Sequence, residues 1–246
     1  MATGADWLQP VTIQALAVLA ATVPFVLAAA RRAGRVLRDL LLLALFFWAA
    51  LLLSQSSRAF SVLPAPWQGM LLEALFALAV IAVLGMGVEA GLTLRIDARA
   101  WRATLLATLL LVVFVAARSV GLAALGMSSG GGAPGWAFLL YQATMPGIAE
   151  ELVYRGVIQS RLNRLFGVRW NLFGARVGWG FVITAVLFWA VHAFRAEPGA
   201  GLSFYWPTLT LQLWAGLVFG WIRERTGSVI PAMVSHNILN VVWTVL

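Results

Sequence analysis

Long apolar runs dominate this sequence of 246 residues, and they constrain its fold more than any other feature. Hydrophobic residues make up 62% of the chain and charged residues only 11%. A soluble domain of this size has no need for so much apolar surface, whereas a lipid bilayer accommodates it. We therefore predict an all-α fold, a polytopic bundle of membrane-spanning helices.

The apolar runs divide the chain into about eight predicted membrane-spanning segments. No polar linker or soluble module separates them, so we expect a single integral membrane domain over residues 1–246. Four spans fill residues 1–135, and residues 136–246 form a C-terminal core. The predicted segments are Val11–Ala30, Leu40–Leu53, Gly69–Leu92, Ala103–Leu125, Gly147–Phe166, Val177–Phe194, Trp206–Ile222 and Val229–Leu246. A flexible Gly/Ser link, Gly126–Gly135, joins the two parts.

The 17 basic residues are all arginine, and most lie in short loops between the apolar runs, at residues 31–38, 95–102, 161–176 and 223–225. The positive-inside rule places these loops in the cytoplasm and both termini outside. This pattern argues against nucleic-acid binding as the reason for the net charge of +8. The first thirty residues resemble a signal peptide ending at Ala28-Ala-Ala30. Because the leading segment carries Asp6 and no base, we interpret it as a retained helix.

Two adjacent carboxylates, Glu150 and Glu151, interrupt the apolar C-terminal part. Ionisable groups at bilayer depth are costly, so they indicate a functional site. Pro146-Gly147 should end the preceding helix and begin a new one. Neighbouring helical residues point about 100° apart. Glu151 and Arg155 can therefore pair at i, i+4, which leaves Glu150 free to face a cavity.

The other candidate groups are few, because the chain has no cysteine and two histidines. Disulfides, thiol nucleophiles and cysteine metal sites are excluded. His192 shares a helix face with Phe188, and His236 shares one with Asn240. A carboxylate and an imidazole can activate water, while a second imidazole and an amide can stabilise an oxyanion. These groups predict a hydrolase that acts on an amide bond within the membrane boundary.

Segment order predicts how these groups meet. The hairpin of the fifth and sixth segments brings Glu150 and His192 to the same, non-cytoplasmic end. His236 lies nearer the cytoplasmic end of its helix. A tilted helix or a buried Thr226–Ser228 turn is therefore needed to bring it to the depth of Glu150 and His192. We also expect an ion pair between Glu73 and Arg118, near the outer ends of adjacent antiparallel spans.

Three motifs resemble the CPBP family of intramembrane proteases, which comprises the type II CAAX prenyl endopeptidases and bacteriocin-processing enzymes. They are Glu-Glu-x-x-x-Arg at 150–155, Phe-x-x-x-His at 188–192 and His-x-x-x-Asn at 236–240. The run Arg225-Thr-Gly-Ser228 is similar as well. The resemblance covers residues 145–246, and its specificity lies in the order and spacing of the motifs. Tyr154 departs mildly from the family, which more often has Phe or Trp there.

The resemblance implies a role for each matching residue. Glu150 and His192 would activate the water, and His236 and Asn240 would form the oxyanion site. Glu151–Arg155 would be a structural pair, with Phe188 as packing or pocket wall. A zinc enzyme with Glu150, His192 and His236 as ligands stays an alternative. Asn is a poor zinc ligand and His-Glu-x-x-His is absent, so we favour a glutamate-type mechanism without a cofactor.

The expected substrate is a membrane-anchored or lipidated protein cleaved near its C-terminal segment. The predicted location is a bacterial inner membrane with the active-site end outside, where proteins with a C-terminal sorting helix would be substrates, as for the sorting-peptidase branches of the family. Two other functions stay open: a proton-coupled transporter using Glu150, His192 and His236 as a proton path, and a catalytically silent scaffold.

Overall fold

The computed structural model describes residues 7–30, 36–64, 66–126 and 134–246. Asp6, residues 31–35 of the first predicted basic loop and residues 127–133 of the predicted Gly/Ser link lie outside these ranges. The statements below concern the described residues.

The described chain is mostly helical, and a helix corresponds to each of the eight predicted segments. The helices are α1 Leu8–Ala30, α2 Leu37–Ser54, α3 Trp67–Val83, α4 Ala98–Ala124, α5 Trp136–Gln142, α6 Met145–Glu151, α7 Ser160–Phe166, α8 Trp179–Ala193, α9 Thr208–Thr226 and α10 Ile230–Val245. A π-helical stretch, Leu152–Gln159, joins α6 to α7, so that one helical path runs from residue 145 to residue 166. A single 3₁₀ turn, Ser56–Arg58, follows α2.

Three described helices are both long and apolar enough to cross a membrane: α1, α2 and α4. Helices α3 and α8 are apolar but shorter. These observations support an integral membrane protein, and they do not confirm the predicted count of eight spans.

The prediction of an all-α fold is wrong in two places, because two antiparallel hairpins flank α8. Strands β1 (Val168–Leu172) and β2 (Ala175–Gly178) precede the helix. Strands β3 (Phe194–Glu197) and β4 (Gly201–Phe204) follow it. Their tight turns contain glycines with positive φ, including Gly174 and Gly199. Because α8 separates the hairpins, they lie at opposite ends of that helix.

Helix α3 ends at Val83, earlier than the predicted limit of Leu92, and the chain then folds back beneath the core. Gly85 has a φ of 61°, a conformation that suits glycine. The carbonyl of Glu89 accepts hydrogen bonds from Ser160 Oγ (2.8 Å) and Arg223 Nη2 (2.6 Å). This re-entrant loop, residues 84–97, therefore ties α7 and α9 together.

The same loop buries the end of the turn between α9 and α10. Ser228 and Val229 are 0% exposed. Val229 N donates to Gly91 O (3.0 Å), and Ser228 Oγ donates to Thr93 O (2.5 Å). Burial is confined to the end of the turn that leads into α10, because Gly227 is exposed and Thr226 is partly exposed. The fully buried Thr226–Ser228 turn that was one of the two expectations for placing His236 is therefore not observed.

Basic side chains gather at the β1–β2 end of the molecule. Arg164 and Arg161 both approach Glu89 Oε2, at 3.4 Å and 3.8 Å. Trp221 Nε1 donates to Leu172 O (2.8 Å), which fixes the hairpin on the C-terminal part of α9. Three of the predicted basic loops thus meet at one end, as their assignment to a single membrane side requires.

Candidate active site

A fully buried ion pair forms the centre of the site. Arg155 Nη1 lies 3.0 Å from Glu151 Oε1, and both side chains are 0% exposed. Arg155 Nη2 donates to Gly216 O (2.9 Å), and its guanidinium lies 4.6 Å from the centre of the Phe188 ring. The pair predicted from the i, i+4 spacing is therefore present, and α9 contributes to its stabilisation.

The pair sits where the helix widens. Arg155 belongs to the π-helical stretch, all eight residues of which are buried. Such stretches are uncommon, and they occur frequently at functional sites. Ser160 Oγ lies 3.0 Å from Arg155 O, five residues earlier in the widened turn, so the hydroxyl shares its one proton between this carbonyl and that of Glu89.

His236 joins this pair from α10. Its Nδ1 lies 2.8 Å from Glu151 Oε1, and the residue is 4% exposed. Phe219 stacks on the imidazole with a centroid distance of 4.8 Å and an interplanar angle of 16°. A carboxylate accepts a hydrogen bond from Nδ1–H, so Nε2 is the ring nitrogen left for a substrate. The spacing of the sequence motifs does not predict this contact between Glu151 and His236.

Phe188 packs between the two histidines. Its ring centroid lies 4.9 Å from that of His192 and 5.8 Å from that of His236. His192 Nδ1 lies 2.7 Å from Phe188 O, and because a carbonyl only accepts, Nδ1 carries the proton. In the neutral ring, Nε2 is then unprotonated and can accept a proton from water. The structure thus brings both imidazoles to one aromatic side chain.

Glu150 faces another direction. It is partly exposed, and its Oε2 has no hydrogen-bond partner among the described residues. The carboxyl interacts electrostatically with Glu73 of α3 and with Tyr141 and Tyr154. Tyr154 in turn packs edge-on against Phe188 at 5.3 Å. No hydrogen bond joins Glu150 to His192 in the described structure, so the water bridge expected between them stays a prediction.

The predicted ion pair between Glu73 and Arg118 is wrong. Arg118 Nε donates to Thr210 Oγ1 (3.4 Å), and its Nη2 donates to Pro207 O (3.5 Å). Glu73 is buried, and its Oε2 has no partner in the described part of the chain. The physical reason is the packing: α4 contacts α9 and α10, whereas α3 contacts α2 and α6.

Two asparagines on α10 have different positions. Asn240 lies one turn after His236 and is partly exposed, which is compatible with its predicted oxyanion role. Asn237, by contrast, makes specific hydrogen bonds to the start of α6. Its Oδ1 accepts from Gly147 N (2.8 Å), and its Nδ2 donates to Thr144 O (2.9 Å). Its place beside His236 is the sequence signal that could have identified it.

The zinc alternative finds no support in this arrangement. No three His, Asp or Glu side chains of the described residues lie together in a group that could hold a metal ion. We therefore derive no step through a metal.

The comparison with protein families gives one match. Residues 132–242 match the family model described as type II CAAX prenyl endopeptidase Rce1-like. The matched range includes Glu150, His192, His236 and Asn240. Neither the curated proteins nor the solved structures give a match to the chain.

Proposed function

Residues 132–242 of this chain match the family model of the Rce1-like type II CAAX prenyl endopeptidases, and from this match we propose that the protein cleaves a peptide bond in a membrane-anchored substrate. The family consists of intramembrane proteases, and the apolar helices α1, α2 and α4 are those of an integral membrane protein. We propose which residues perform the cleavage, which class of substrate is cleaved and which side of the membrane the active site faces.

The observation that carries the proposal is that His192 and His236 both contact Phe188. His236 also contacts the buried Glu151, and the partly exposed Glu150 is the neighbour of Glu151 in sequence. Polar groups on separate membrane helices are costly unless they serve a site. Here two imidazoles from α8 and α10 share one aromatic neighbour. Each forms its hydrogen bond through Nδ1, which leaves Nε2 for water or substrate. This arrangement suits the handling of a proton and of a developing negative charge.

In the proposed reaction, Glu150 and His192 Nε2 take a proton from a water molecule as its oxygen attacks the scissile carbonyl carbon. The carbonyl π bond breaks and leaves an oxyanion. His236 and Asn240 donate hydrogen bonds to this oxyanion, which requires His236 to carry protons on both ring nitrogens. The abstracted proton then passes to the departing amine, and the C–N bond breaks. The products are a free amine and a carboxylic acid, which becomes a carboxylate when its remaining water-derived proton passes to solvent.

Glu151 and Arg155 act through His236 in this proposal. Glu151 accepts from His236 Nδ1 and so orients the ring, while Arg155 compensates the charge of the buried carboxylate. A buried carboxylate without a partner would be strongly destabilising. The pair is thus a positioning device for the oxyanion site.

The proposed substrate is a protein held in the membrane by a lipidated or apolar C-terminal segment. Under the topology predicted from the arginine loops, the His192 end faces the non-cytoplasmic side of a bacterial inner membrane. Substrates would then be secreted or membrane-tethered proteins with a C-terminal sorting helix. A prenylated tail presented from the cytoplasm would require the opposite orientation.

Cleavage by the purified protein in liposomes tests the proposal. Two fluorescent peptides serve as probes, one farnesylated near its C terminus and one ending in an apolar sorting helix. We expect wild-type protein to cleave at least one, and Glu150→Gln to lower the rate by about 10²-fold or more. Glu197→Gln is the matched control, because this carboxylate is exposed and pairs with Arg58 at the surface.

The outcomes separate the competing functions. Equal cleavage by wild type and Glu150→Gln would contradict the proposed base, and loss of activity with a zinc chelator would contradict the glutamate-type mechanism. No cleavage of either peptide, together with proton flux across the liposomes that depends on Glu150, would support the transporter instead.

A further inference from the structure

Gln14 places a buried amide in the first predicted span, outside the region that matches the protease family. It lies on α1, which is otherwise strongly apolar, and it is 8% exposed. An amide in such surroundings is costly unless its donors and acceptor are all used.

Both N–H donors and the acceptor oxygen of the Gln14 amide group have a partner. Its Nε2 donates to Val191 O (3.0 Å) and to Phe194 O (2.8 Å). Its Oε1 accepts from Gln55 Nε2, at the end of α2 (3.0 Å). The amide therefore has one orientation, which the second helix enforces.

Both acceptors belong to the last turn of α8 and the residue that follows it, on either side of His192. The final carbonyls of a helix lack partners within the helix, so their position depends on outside donors. Here Ala190 O accepts from Phe194 N, and Ala193 O accepts from Tyr205 N (2.8 Å). Gln14 supplies a donor to Val191 O within that turn and another to Phe194 O just after it, so the backbone on both sides of His192 is held from α1.

We propose that Gln14, oriented by Gln55, is a positioning residue that fixes the backbone of His192 for the cleavage reaction. This inference rests on the proposed function, in which His192 takes a proton from water. It assigns a role in the reaction to α1 and α2. Displacement of a catalytic group by about 1 Å can cost about 10²-fold in rate.

The test compares three variants in the liposome cleavage assay. Gln14→Leu keeps a similar volume and removes every hydrogen bond of the amide. Gln55→Leu removes only the donor that orients it, and so provides a milder variant should Gln14→Leu fail to fold. Thr22→Val is the matched control: Thr22 is buried on the same helix, and its hydroxyl donates only to Leu19 O (2.7 Å) within that helix.

We expect Gln14→Leu to lower kcat by about 10-fold or more while KM stays within roughly twofold. Gln55→Leu should lower kcat to a smaller extent, and Thr22→Val should leave it unchanged. Wild-type kcat in folded Gln14→Leu would overturn the proposal. So would wild-type kcat in Gln55→Leu if Gln14→Leu does not fold, or a change confined to KM.

A second readout does not require activity. The chain has two histidines, so ¹⁵N-histidine labelling gives two imidazole environments, which His236→Ala assigns. We expect the Gln14→Leu and Gln55→Leu variants to shift or broaden the His192 signals and to leave those of His236 in place. Unchanged His192 signals would overturn the positioning role. If the two variants change the His192 signals but the wild-type protein cleaves no peptide, the proposed function is wrong and the role of Gln14 in holding His192 survives.

Discussion

Glu150 and Glu151 are neighbours in sequence, but they occupy different environments. Glu151 is fully buried between Arg155 and His236, whereas Glu150 is partly exposed and lies towards Glu73. Helical spacing alone predicted that the two carboxylates diverge and that Glu151 pairs with Arg155. It could not predict the contact with His236, because that residue is 85 positions away and lies on a separate helix, α10.

The Arg155→Ala variant tests whether the buried ion pair of Glu151 and Arg155 stabilises the fold. Arg155→Ala should destabilise the protein by about 3–5 kcal/mol, because it leaves the buried Glu151 carboxylate without its cation. The measurement is thermal or denaturant unfolding in detergent. Arg58→Ala is the control, because its ion pair with Glu197 is exposed and worth less than about 1 kcal/mol. Equal destabilisation by the two changes would contradict the account of the buried pair.

At the scale of elements, the helices followed from the sequence and the strands did not. The apolar runs located all eight long segments, because hydrophobicity is a local property. The hairpins have strands of four or five residues, several of which are polar, and the arginines of residues 161–176 predict only a basic loop there. Their pairing depends on turns at positions such as Phe173–Gly174, where both residues have positive φ. A run of apolar residues carries no signal for such turns.

The junction of α6 and α10 is an element-scale contact that positions Glu150. A Cβ on Gly147 would lie under 3.0 Å from both Met233 O and the Asn237 side chain, distances that real side chains do not show. Because the first of these atoms is backbone, the helices must separate. We expect Gly147→Ala to cost about 1–3 kcal/mol and to lower cleavage.

The control for this change is Gly121→Ala in the last part of α4, where a Cβ would meet nothing within 4 Å. This variant should be neutral or more stable by about 0.5–1 kcal/mol, because alanine is the better helix former. Unfolding midpoints and cleavage rates of the two variants are compared in the same detergent and lipid. Wild-type behaviour of Gly147→Ala would show that the close approach of α6 and α10 is dispensable.

At the scale of the whole molecule, the distribution of arginine predicted two distinct ends. The re-entrant loop, residues 84–97, brings the basic segments around Arg95, Arg161 and Arg223 to the β1–β2 end, as the positive-inside assignment requires. His192 lies at the other end of α8, next to the β3–β4 hairpin. Which residues meet between these ends was only partly predictable, because polar contacts such as Gln14 with Phe194 depend on how separate spans pack.

The absence of cysteine in the sequence makes the orientation directly testable. Ala200→Cys places a thiol in the exposed turn of the β3–β4 hairpin, and Phe173→Cys places one at the tip of the β1–β2 hairpin. With a membrane-impermeant maleimide on intact cells, we expect labelling of the first variant, and of the second only after lysis. The reverse pattern would contradict the predicted sidedness and would favour substrates presented from the cytoplasm.

The central claim is that His192 and His236 act as one hydrolytic unit with Glu150, and a cycle of histidine variants measures this most directly. Initial rates of peptide cleavage in liposomes are compared for wild type, His192→Ala, His236→Ala and the double variant, which contains no histidine. Groups that act as a unit are strongly non-additive. We expect each single variant to lose about 10²-fold or more and the double variant to lose little beyond the worse single one. Wild-type cleavage by either single variant, or by the histidine-free protein, would contradict the account.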